Sequence, residues 1–551
     1  MKSTLRTGLI AGLVLAFPAA LTATAQANVI PGTDVSLGFL DSLTAVGRDG
    51  NFPGGMNALA MSTTSCNKGT VDVPWLQPMD EDHPFMGFLI VRYDDSGRMT
   101  QVSNYSYVKH GFFALASSQC DSCTVSPFGH DGTYLGIGCS DTYAVNNNSN
   151  NYYLGPAEEI DPWLGDWDAT CSLFDAGLNP TPETMCDGIR DYTSFQASTL
   201  GPIGNRVHVP DAAFSDVGNP EFAYSSYYVI RGEPEGRRGN NLGSKTFNPF
   251  FNGSNWIFQD TSPLEYGSVL ERWPGARVES ETNALDDGRV YVSSSVTGPD
   301  ADGLYHYEYA LHNRDNNRAI DELRIPLCAS AGVSGFGFKD IDLDLANDWT
   351  ATRIGDELVY STANNPLRWN SIFNFWFDST AAPSDGAVSL GQFFAGPGAD
   401  SFAVAADVPG TVFEIDLGPG CASGTAPTVA SNGQATLGNS AFALELSGVA
   451  PNAPTFLLLS TLSTSLPVGS GCTLYLGGSF GAQLIEVGSV SADGSGVADY
   501  TVPVPSSAVL EGVDLTFQGF ELAAGAPAFG VGNLTNGLLV RVGNDTTGCG
   551  Q

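Results

Sequence analysis

The amino-acid sequence predicts an all-β protein made of serial domains: an irregular, disulfide-bearing N-terminal β-rich domain followed by two β-sandwich, immunoglobulin-like domains. Two observations support this prediction. Glycine, serine, threonine, asparagine and valine are abundant while lysine is scarce, a mixture that favours strands and turns over helices. Short apolar runs also recur along the chain, separated by turn residues at the spacing typical of sandwiches.

The first 27 residues have the pattern of a secretory signal peptide. Lys2 and Arg6 precede an apolar run from Leu9 to Ala23, and the small residues of a cleavage site follow at positions 25–27. The apolar run is too short for a membrane-spanning helix, and the rest of the sequence contains no second apolar run long enough to cross a membrane. We therefore expect a mature chain that begins at Asn28 and is secreted or held at the cell surface.

The chain is strongly acidic, with a formal net charge of -36 at pH 7. Removal of the two basic residues in the signal peptide makes the mature chain more negative still. A nucleic-acid duplex or an anionic lipid surface binds to a basic face, so this composition excludes nucleic acid as a partner. Solubility is the simplest explanation of the acidity, and cation binding or high-salt surroundings are the alternatives.

The 10 cysteines predict disulfides, because export brings the chain into an oxidising compartment. We expect three pairs: Cys171 with Cys186, Cys328 with Cys421, and Cys472 with Cys549. The remaining four are Cys66, Cys120, Cys123 and Cys139, and their connectivity is not deducible from one sequence. Bonds from Cys120 and Cys123 to Cys66 and Cys139 are favoured over free thiols.

Composition and strand patterns divide the mature chain into three predicted domains. Residues 28–295 form the N-terminal β-rich domain, residues 296–420 a β-sandwich, and residues 421–551 a C-terminal β-sandwich. The last domain contains no histidine, and Arg541 is its only basic residue. It therefore has little equipment for general acid–base catalysis, which favours a structural or attachment role.

Several segments are distinctive enough to serve as family markers. In the N-terminal domain they are STTSCNKGT (62–70), VKHGFFAL (108–115), CDSC (120–123) and LGIGCSDTY (135–143). In the middle domain they are GLYHYEYALHNRDNNRAI (303–320) and NNPLRWNSIFNFWFD (364–378). Together these segments resemble uncharacterised exported multi-domain β-rich proteins of planctomycete-like and myxobacteria-like bacteria. The resemblance implies export and this architecture, and it assigns no reaction and no catalytic residue.

The sharpest candidate for chemistry is a metal site in the N-terminal domain. A hairpin is predicted from a strand at Phe85–Tyr93, a DDSG turn, and a return strand at 98–108. With Arg98 opposite Tyr93, His83 would lie opposite Val108, and His110 would follow on the same face. Both histidines would then sit at the open end of the hairpin.

The residues that follow this hairpin could complete the metal site. Cys120, Cys123 and His130 come shortly after His110, and imidazole and thiolate ligands suit copper or zinc. If both cysteines form disulfides, a site of His83, His110 and His130 alone would remain. Ordinary structural residues are the alternative explanation.

A second candidate is a calcium site in the middle domain. Asp340, Asp342 and Asp344 occupy alternate positions, so on a strand all three would face one side. Carboxylates crowded in this way repel one another unless a cation such as calcium joins them. A solvated strand face is the alternative. The Asn- and Asp-rich stretch at 138–168 is a less specific calcium candidate.

A third candidate is the pair His306 and Glu308, which share one face of a predicted strand with His312 nearby. The tyrosines at positions 305, 307 and 309 would take the other face and enter the core. A histidine beside a glutamate could bind a metal or move protons. An ordinary solvent-exposed strand face is the commoner explanation.

These observations leave three hypotheses for function. The first is a secreted or cell-surface structural or binding protein, and the second is an exported metal-dependent enzyme with its site in the N-terminal domain. The third is a carbohydrate-binding protein that uses exposed aromatics such as Trp163 and Trp167. An extracellular polysaccharide or the cell surface would be the partner in the first and third cases.

Overall fold

The computed structural model describes residues 29–93, 97–124, 132–215, 220–283, 288–327, 331–342, 344–396, 398–410, 414–469, 471–478, 483–510 and 512–543. The predicted signal peptide lies outside these residues. The described chain is built mainly of β-strands, which confirms the predicted all-β class. Its α-helices are α1 (Val145–Asn148), α2 (Leu173–Ala176), α3 (Ser194–Thr199) and α4 (Asp211–Ser215). Short 3-10 segments lie at Asn151–Tyr153, Ala157–Glu159, Glu235–Asn240, Val269–Arg272 and Ala508–Leu510. Within the described residues no helix is long and apolar enough to cross a membrane.

The N-terminal part is formed by the strands up to Tyr266. They are β1 (Val35–Asp49), β2 (Met56–Asn67), β3 (Val73–Pro74), β4 (Phe85–Tyr93), β5 (Met99–Gln101), β6 (Val108–His110), β7 (Tyr134–Leu135), β8 (Ser140–Tyr143), β9 (Leu154–Gly155), β10 (Ile160–Asp161), β11 (Asp166–Trp167), β12 (Val207–Pro210), β13 (Glu221–Val229), β14 (Leu242–Phe251), β15 (Trp256–Asp260) and β16 (Glu265–Tyr266). A four-stranded sheet has the order β1-β2-β12, with β8 also on β2. An eight-stranded sheet has the order β15-β14-β13-β4-β6-β9, with β16 on β14 and β5 on β4.

Strand β4 is buried on both faces, which explains its nearly continuous apolar sequence. Because side chains alternate along a strand, Met86, Phe88 and Ile90 enter the core shared with the four-stranded sheet. Leu89 and Val91 point the other way, into a second apolar cluster that includes residues of the middle domain. The eight-stranded sheet is therefore an internal layer.

The middle part is a sandwich of two five-stranded sheets. Its strands are β17 (Arg277–Thr282), β18 (Arg289–Thr297), β19 (Tyr305–Asn313), β20 (Ile320–Pro326), β21 (Val333–Lys339), β22 (Thr350–Ile354), β23 (Glu357–Ser361), β24 (Ser371–Ser379), β25 (Pro383–Gln392) and β26 (Ser401–Pro409). The sheet orders are β17-β18-β19-β24-β21 and β22-β23-β20-β25-β26. The first strand of these two sheets begins at Arg277.

The sequence pattern of β19 accounts for the way this sandwich packs. Tyr307 and Tyr309 are fully buried between the two sheets, as the alternation predicts. Ala310, on the opposite face, packs with Ile372 of β24 against the N-terminal part. The outer face of this sheet is therefore covered by protein along much of β19.

The strands of the C-terminal part begin with β27 at Glu414. Its strands are β27 (Glu414–Gly418), β28 (Thr428–Ser431), β29 (Ala443–Ser447), β30 (Pro454–Ser460), β31 (Ser463–Pro467), β32 (Thr473–Leu476), β33 (Leu484–Ser491), β34 (Val497–Thr501), β35 (Asp514–Leu522) and β36 (Gly532–Arg541). Sheets of order β27-β36-β35-β30-β33 and β28-β29-β34 enclose an apolar core of their own.

The cystines agree with only part of the predicted pairing. Cys171 is bonded to Cys186, as predicted, and the open set pairs as Cys66–Cys120 and Cys123–Cys139. The predicted bonds Cys328–Cys421 and Cys472–Cys549 are wrong, because Cys421 is bonded to Cys472. Leu534 of β36 pairs with Cys421 and packs beside both sulfurs, a contact distant in sequence. Cys328 and Cys549 lie outside the described residues.

A buried ionic network joins the N-terminal part to the sandwich. The carboxylate of Asp315 is fully buried and accepts hydrogen bonds from Tyr227 Oη (2.8 Å), Arg238 Nη1 (3.2 Å) and the backbone N–H of Arg289 (2.7 Å). Arg314 Nη2 lies 3.0 Å from the same carboxylate. Burial opposes ionisation of Asp315, but Arg314 and Arg238 outweigh it and hold its pKa below the usual value.

Replacing Asp315 by asparagine should destabilise the protein by about 3 kcal/mol or more, because the buried Arg238 loses its counter-charge and the buried Arg314 keeps only Glu235. The measurement is the urea midpoint of unfolding at neutral pH. The matched control is Asp385→Asn, which removes an exposed carboxylate paired with Arg277 and Arg541 and should cost less than about 1 kcal/mol. Equal effects of the two substitutions would contradict the network's role.

Candidate functional site

The structure brings His83 and His110 together, although the hairpin register differs from the predicted one. Met99, and not Arg98, lies opposite Tyr93. Residues between β5 and β6 leave the ladder, so that His110 pairs with Phe85. His83 precedes Phe85 by two residues, and its Nε2 atom lies 3.2 Å from Nδ1 of His110.

The hydrogen bonds of the two imidazoles assign their tautomers. His83 Nδ1 donates to the carbonyl oxygen of Asp80 (2.5 Å), so its Nε2 accepts from His110 Nδ1. The remaining nitrogen, His110 Nε2, has no partner among the described residues. It abuts Gly155, where an added Cβ would lie only 2.4 Å away. The pair therefore has no open coordination position at this nitrogen.

The surroundings of the histidine pair are aromatic. The His110 ring lies 4.8 Å from Trp167 and 4.6 Å from Phe174, and the His83 ring lies 4.6 Å from Phe85, between ring centroids. Burial lowers the pKa of His83 to about 3 and that of His110 well below its usual value. Both imidazoles are neutral core groups at physiological pH.

The other predicted transition-metal ligands do not join this pair. Cys120 and Cys123 are oxidised in two different cystines, so neither can supply a thiolate. His130 lies outside the described residues. Among the residues that the structure describes, no three His, Cys, Asp or Glu side chains are grouped so as to hold a metal ion.

The three aspartates of the predicted calcium site lie after β21 in a series of turns, so their placement on a strand is wrong. Asp340 accepts the backbone N–H of Asp342 (3.0 Å), and Asp342 accepts that of Asp344 (2.6 Å). Asp344 in turn accepts the N–H of Ala346 (3.1 Å). Aspartate favours such side-chain turns over strands, which is why the alternation did not mark a strand here.

The Asn- and Asp-rich stretch at 138–168 uses its polar side chains in the same way. The Asn148 amide donates to the carbonyl of Met61 (2.9 Å), and Asp161 Oδ1 accepts two backbone N–H groups at 3.0 Å each. Trp163 and Trp167 are 4% and 3% exposed, so they offer no platform for a sugar ring. Their predicted exposure is wrong because both indoles pack inward from this stretch.

His306 and Glu308 form part of a contact between the N-terminal part and the sandwich, and not a free strand face. Arg98, at the end of the β4–β5 hairpin, forms a two-pronged ion pair with the buried carboxylate of Glu308. The guanidinium also stacks on Trp376 at 3.5 Å from the ring centroid. His306 Nε2 lies 3.0 Å from Glu308, and its Nδ1 lies 2.7 Å from Asp378.

Sequence reasoning identified the His306–Glu308 pair but missed its partner. Arg98 is 210 residues away along the chain, so no local pattern connects the two. His312, the third member of the predicted set, is fully buried and bonds to Ser268 Oγ (2.8 Å). Burial lowers its pKa to about 3, which removes it from proton transfer at neutral pH.

The hydrogen bond to Glu308, with that to Asp378, raises the pKa of His306 despite partial burial. Because the pKa of His306 is raised in the folded state, its ion pairs contribute fully to stability at pH values below the pKa of the unfolded state. This contribution is lost as the pH rises through the pKa of the folded state. Asp378 of β24, Glu308 of β19 and Arg98 from the hairpin are the charged groups that face the imidazole or its partners.

His306→Gln should therefore lower the urea midpoint at pH 5.5 and have little effect at pH 9. The loss should stay below about 1 kcal/mol, because the imidazole is partly exposed and solvent screens the pair. The control is His208→Gln, which removes a partly buried histidine whose ring bonds to the carbonyl of Ile203 (2.5 Å). A His306→Gln effect that is the same at both pH values would refute the pH dependence.

Comparison with known proteins yields no family. Scans against protein-family models and curated proteins found no match. Among solved structures, the chain is similar to BcpA, the major pilin subunit of Bacillus cereus, at 10% identity over 58% of this chain and 77% of that one, with a TM-score of 0.16. It is also similar to Escherichia coli alpha-2-macroglobulin activated by porcine elastase, at 6% identity over 94% of this chain and 35% of that one, with a TM-score of 0.15. The chain thus spans about a third of the macroglobulin's length. TM-scores this low establish no shared fold and bear on no function.

Proposed function

We propose that this chain is an exported structural or binding protein of the cell surface or its surroundings. The observation that carries the proposal is the use of its candidate catalytic side chains in packing. His83 and His110 are neutral core groups, and Glu308 is committed to Arg98. Side chains engaged in this way support the fold, and a structural role accounts for each of the three.

The architecture supports the same proposal. The two sandwiches follow one another along the chain, and the C-terminal one has its own apolar core. Four cystines brace the described residues, as suits an oxidising compartment outside the cell. A strongly acidic surface would keep such a protein soluble and separate from anionic partners.

The metal-dependent enzyme with its site in the N-terminal domain remains the alternative hypothesis. Two histidines that bond to each other in an aromatic environment cannot both present a lone pair to one ion. The oxidised Cys120 and Cys123 remove the thiolates. The structure offers no specific observation in favour of this alternative.

Export predicts a particular location and redox state. Expressed with its own leader, the protein should appear outside the cytoplasm with its N-terminus at Asn28. Its cysteines should resist alkylation until a reductant is added, as mass spectrometry can measure. Alkylation of a Cys66→Ser variant, which leaves Cys120 unpaired, is the positive control for a single free thiol. Cytoplasmic protein with reactive thiols would contradict export.

The mature protein, dialysed against copper or zinc and incubated with a polysaccharide panel, should retain no stoichiometric metal and release no sugar. The readouts are elemental analysis and product detection. A His83→Gln/His110→Gln double variant is the matched control, and it should behave like the wild type. Stoichiometric metal that the double variant fails to bind, together with released sugars, would favour the enzyme instead.

A further inference from the structure

Lys109 carries a buried amine that has no polar partner among the described residues. It lies on β6, which pairs with β4 on one side and with β9 on the other, and its side chain is fully buried. The Nζ atom lies 4.4, 4.8 and 5.2 Å from the ring centroids of Tyr153, Phe112 and Tyr143. It makes no hydrogen bond to any described residue. Aromatic faces attract a cation but accept no proton, so burial lowers the pKa of Lys109 to about 7.

Asp141 is a buried carboxyl group that is only half satisfied. It lies on β8 and is 1% exposed. Its Oδ1 atom accepts the backbone N–H of Leu115 (2.7 Å), whereas Oδ2 has no hydrogen-bond partner among the described residues. The nearby indole N–H of Trp75 donates to Tyr143 Oη (2.8 Å). Burial raises the pKa of Asp141 to about 7.

These two groups face the same space between the two sheets of the N-terminal part. Asp141 and Tyr143 are two residues apart on β8 and so project from one face. The Lys109 amine lies over the Tyr143 ring, and Asp141 is the charge with the largest effect on it. The Lys109 amine and the Asp141 Oδ2 atom nevertheless have no hydrogen-bond partner among the described residues. An amine and a carboxyl oxygen, each without such a partner, thus face one enclosure, an arrangement that calls for an explanation.

We propose that Lys109 and Asp141 condense into an intramolecular isopeptide bond that joins β6 of the eight-stranded sheet to β8 of the four-stranded sheet. The neutral amine attacks Cγ of the protonated carboxyl group, and a bond forms between Nζ and Cγ. The bond from Cγ to Oδ2 breaks. One amine proton and the carboxyl proton leave with Oδ2 as water, so the step needs no oxidant, cofactor or second substrate.

The surroundings favour each part of this step. Leu115 N–H, already bonded to Oδ1, would stabilise the negative charge that develops on this oxygen during attack. Oδ2 has no hydrogen-bond partner among the described residues, so it is available to accept the amine proton with which it leaves as water. Burial favours the neutral amine and the neutral acid, the two forms that react. Confinement on strands of two sheets that share one core replaces a bimolecular encounter by an intramolecular one, with effective molarities on the order of 10⁵ M or more in well-oriented cases.

The bond would also remove a weakness of the fold. An uncondensed amine and carboxyl group would each stay buried without a full set of partners, which is unfavourable in either charge state. An amide is uncharged and leaves only one N–H and one carbonyl, the latter retained on Leu115. Cross-linking two sheets of an exported domain would add a covalent tie that a reductant cannot break, unlike the cystines.

The decisive measurement is the mass of the mature, folded wild-type protein after reduction and denaturation. The proposal expects the sequence mass less one water molecule. Trypsin should then fail to cut after Lys109 and release a single peptide of residues 99–190, bounded by Arg98 and Arg190 and lighter by one water. Full sequence mass, with separate peptides 99–109 and 110–190, would overturn the proposal whatever the variants do.

Three variants locate the bond. Lys109→Met replaces the amine by an apolar side chain of similar length and should restore full mass, as should Asp141→Ala. Asp141→Asn should lose one ammonia molecule in place of water if it folds, because the same carbon is attacked. A water loss that persists in Lys109→Met, as a succinimide elsewhere would produce, would refute the assignment.

Discussion

The buried carboxylate of Asp315 is the contact on which the arrangement of the N-terminal part and the sandwich depends. Two guanidinium groups, a tyrosine hydroxyl and a backbone amide converge on it, and one of the guanidinium groups, that of Arg314, also contacts Glu235. Burying such a network is unfavourable unless every partner is in place. It therefore tolerates one docking geometry, and the apolar cluster around Tyr227, Ala310 and Ile372 supplies the favourable burial that holds it there.

The contact between the N-terminal part and the sandwich buries most of the polar side chains that suggested chemistry. Once the N-terminal part covers the outer face of β19, Glu308 can no longer serve a solvent-side site and pairs with Arg98. His312 is enclosed beside Ser268 for the same reason. The histidine pair of the hairpin is enclosed in turn by Trp167 and Phe174. Within the described residues, the polar side chains that suggested chemistry are therefore engaged in packing and hydrogen-bond contacts.

Lys109 and Asp141 differ from several other buried charged residues in lacking a full set of close polar partners among the described residues. Elsewhere in the interior, buried charges such as Asp315, Asp211 and Glu308 have charged or hydrogen-bonding partners at short distance. Here the Lys109 amine and the Asp141 Oδ2 atom each lack such a partner among the described residues, although they share an enclosure. Both lie in segments that the sequence marks as distinctive, VKHGFFAL and LGIGCSDTY. A lysine inside a buried strand was a visible signal, but its missing partner could be recognised only in three dimensions.

The sequence by itself determined the all-β class, the alternation that sends Tyr307 and Tyr309 into a core, and the local cystine between Cys171 and Cys186. Each of these depends on residues close in sequence, where periodicity and spacing carry the information. The tertiary structure alone decided the Cys421–Cys472 bond, the burial of Trp163 and Trp167, and the pairing of Arg98 with Glu308. Those features arise where sheets and loops distant in sequence pack together, and packing between distant segments leaves no periodic trace in the chain.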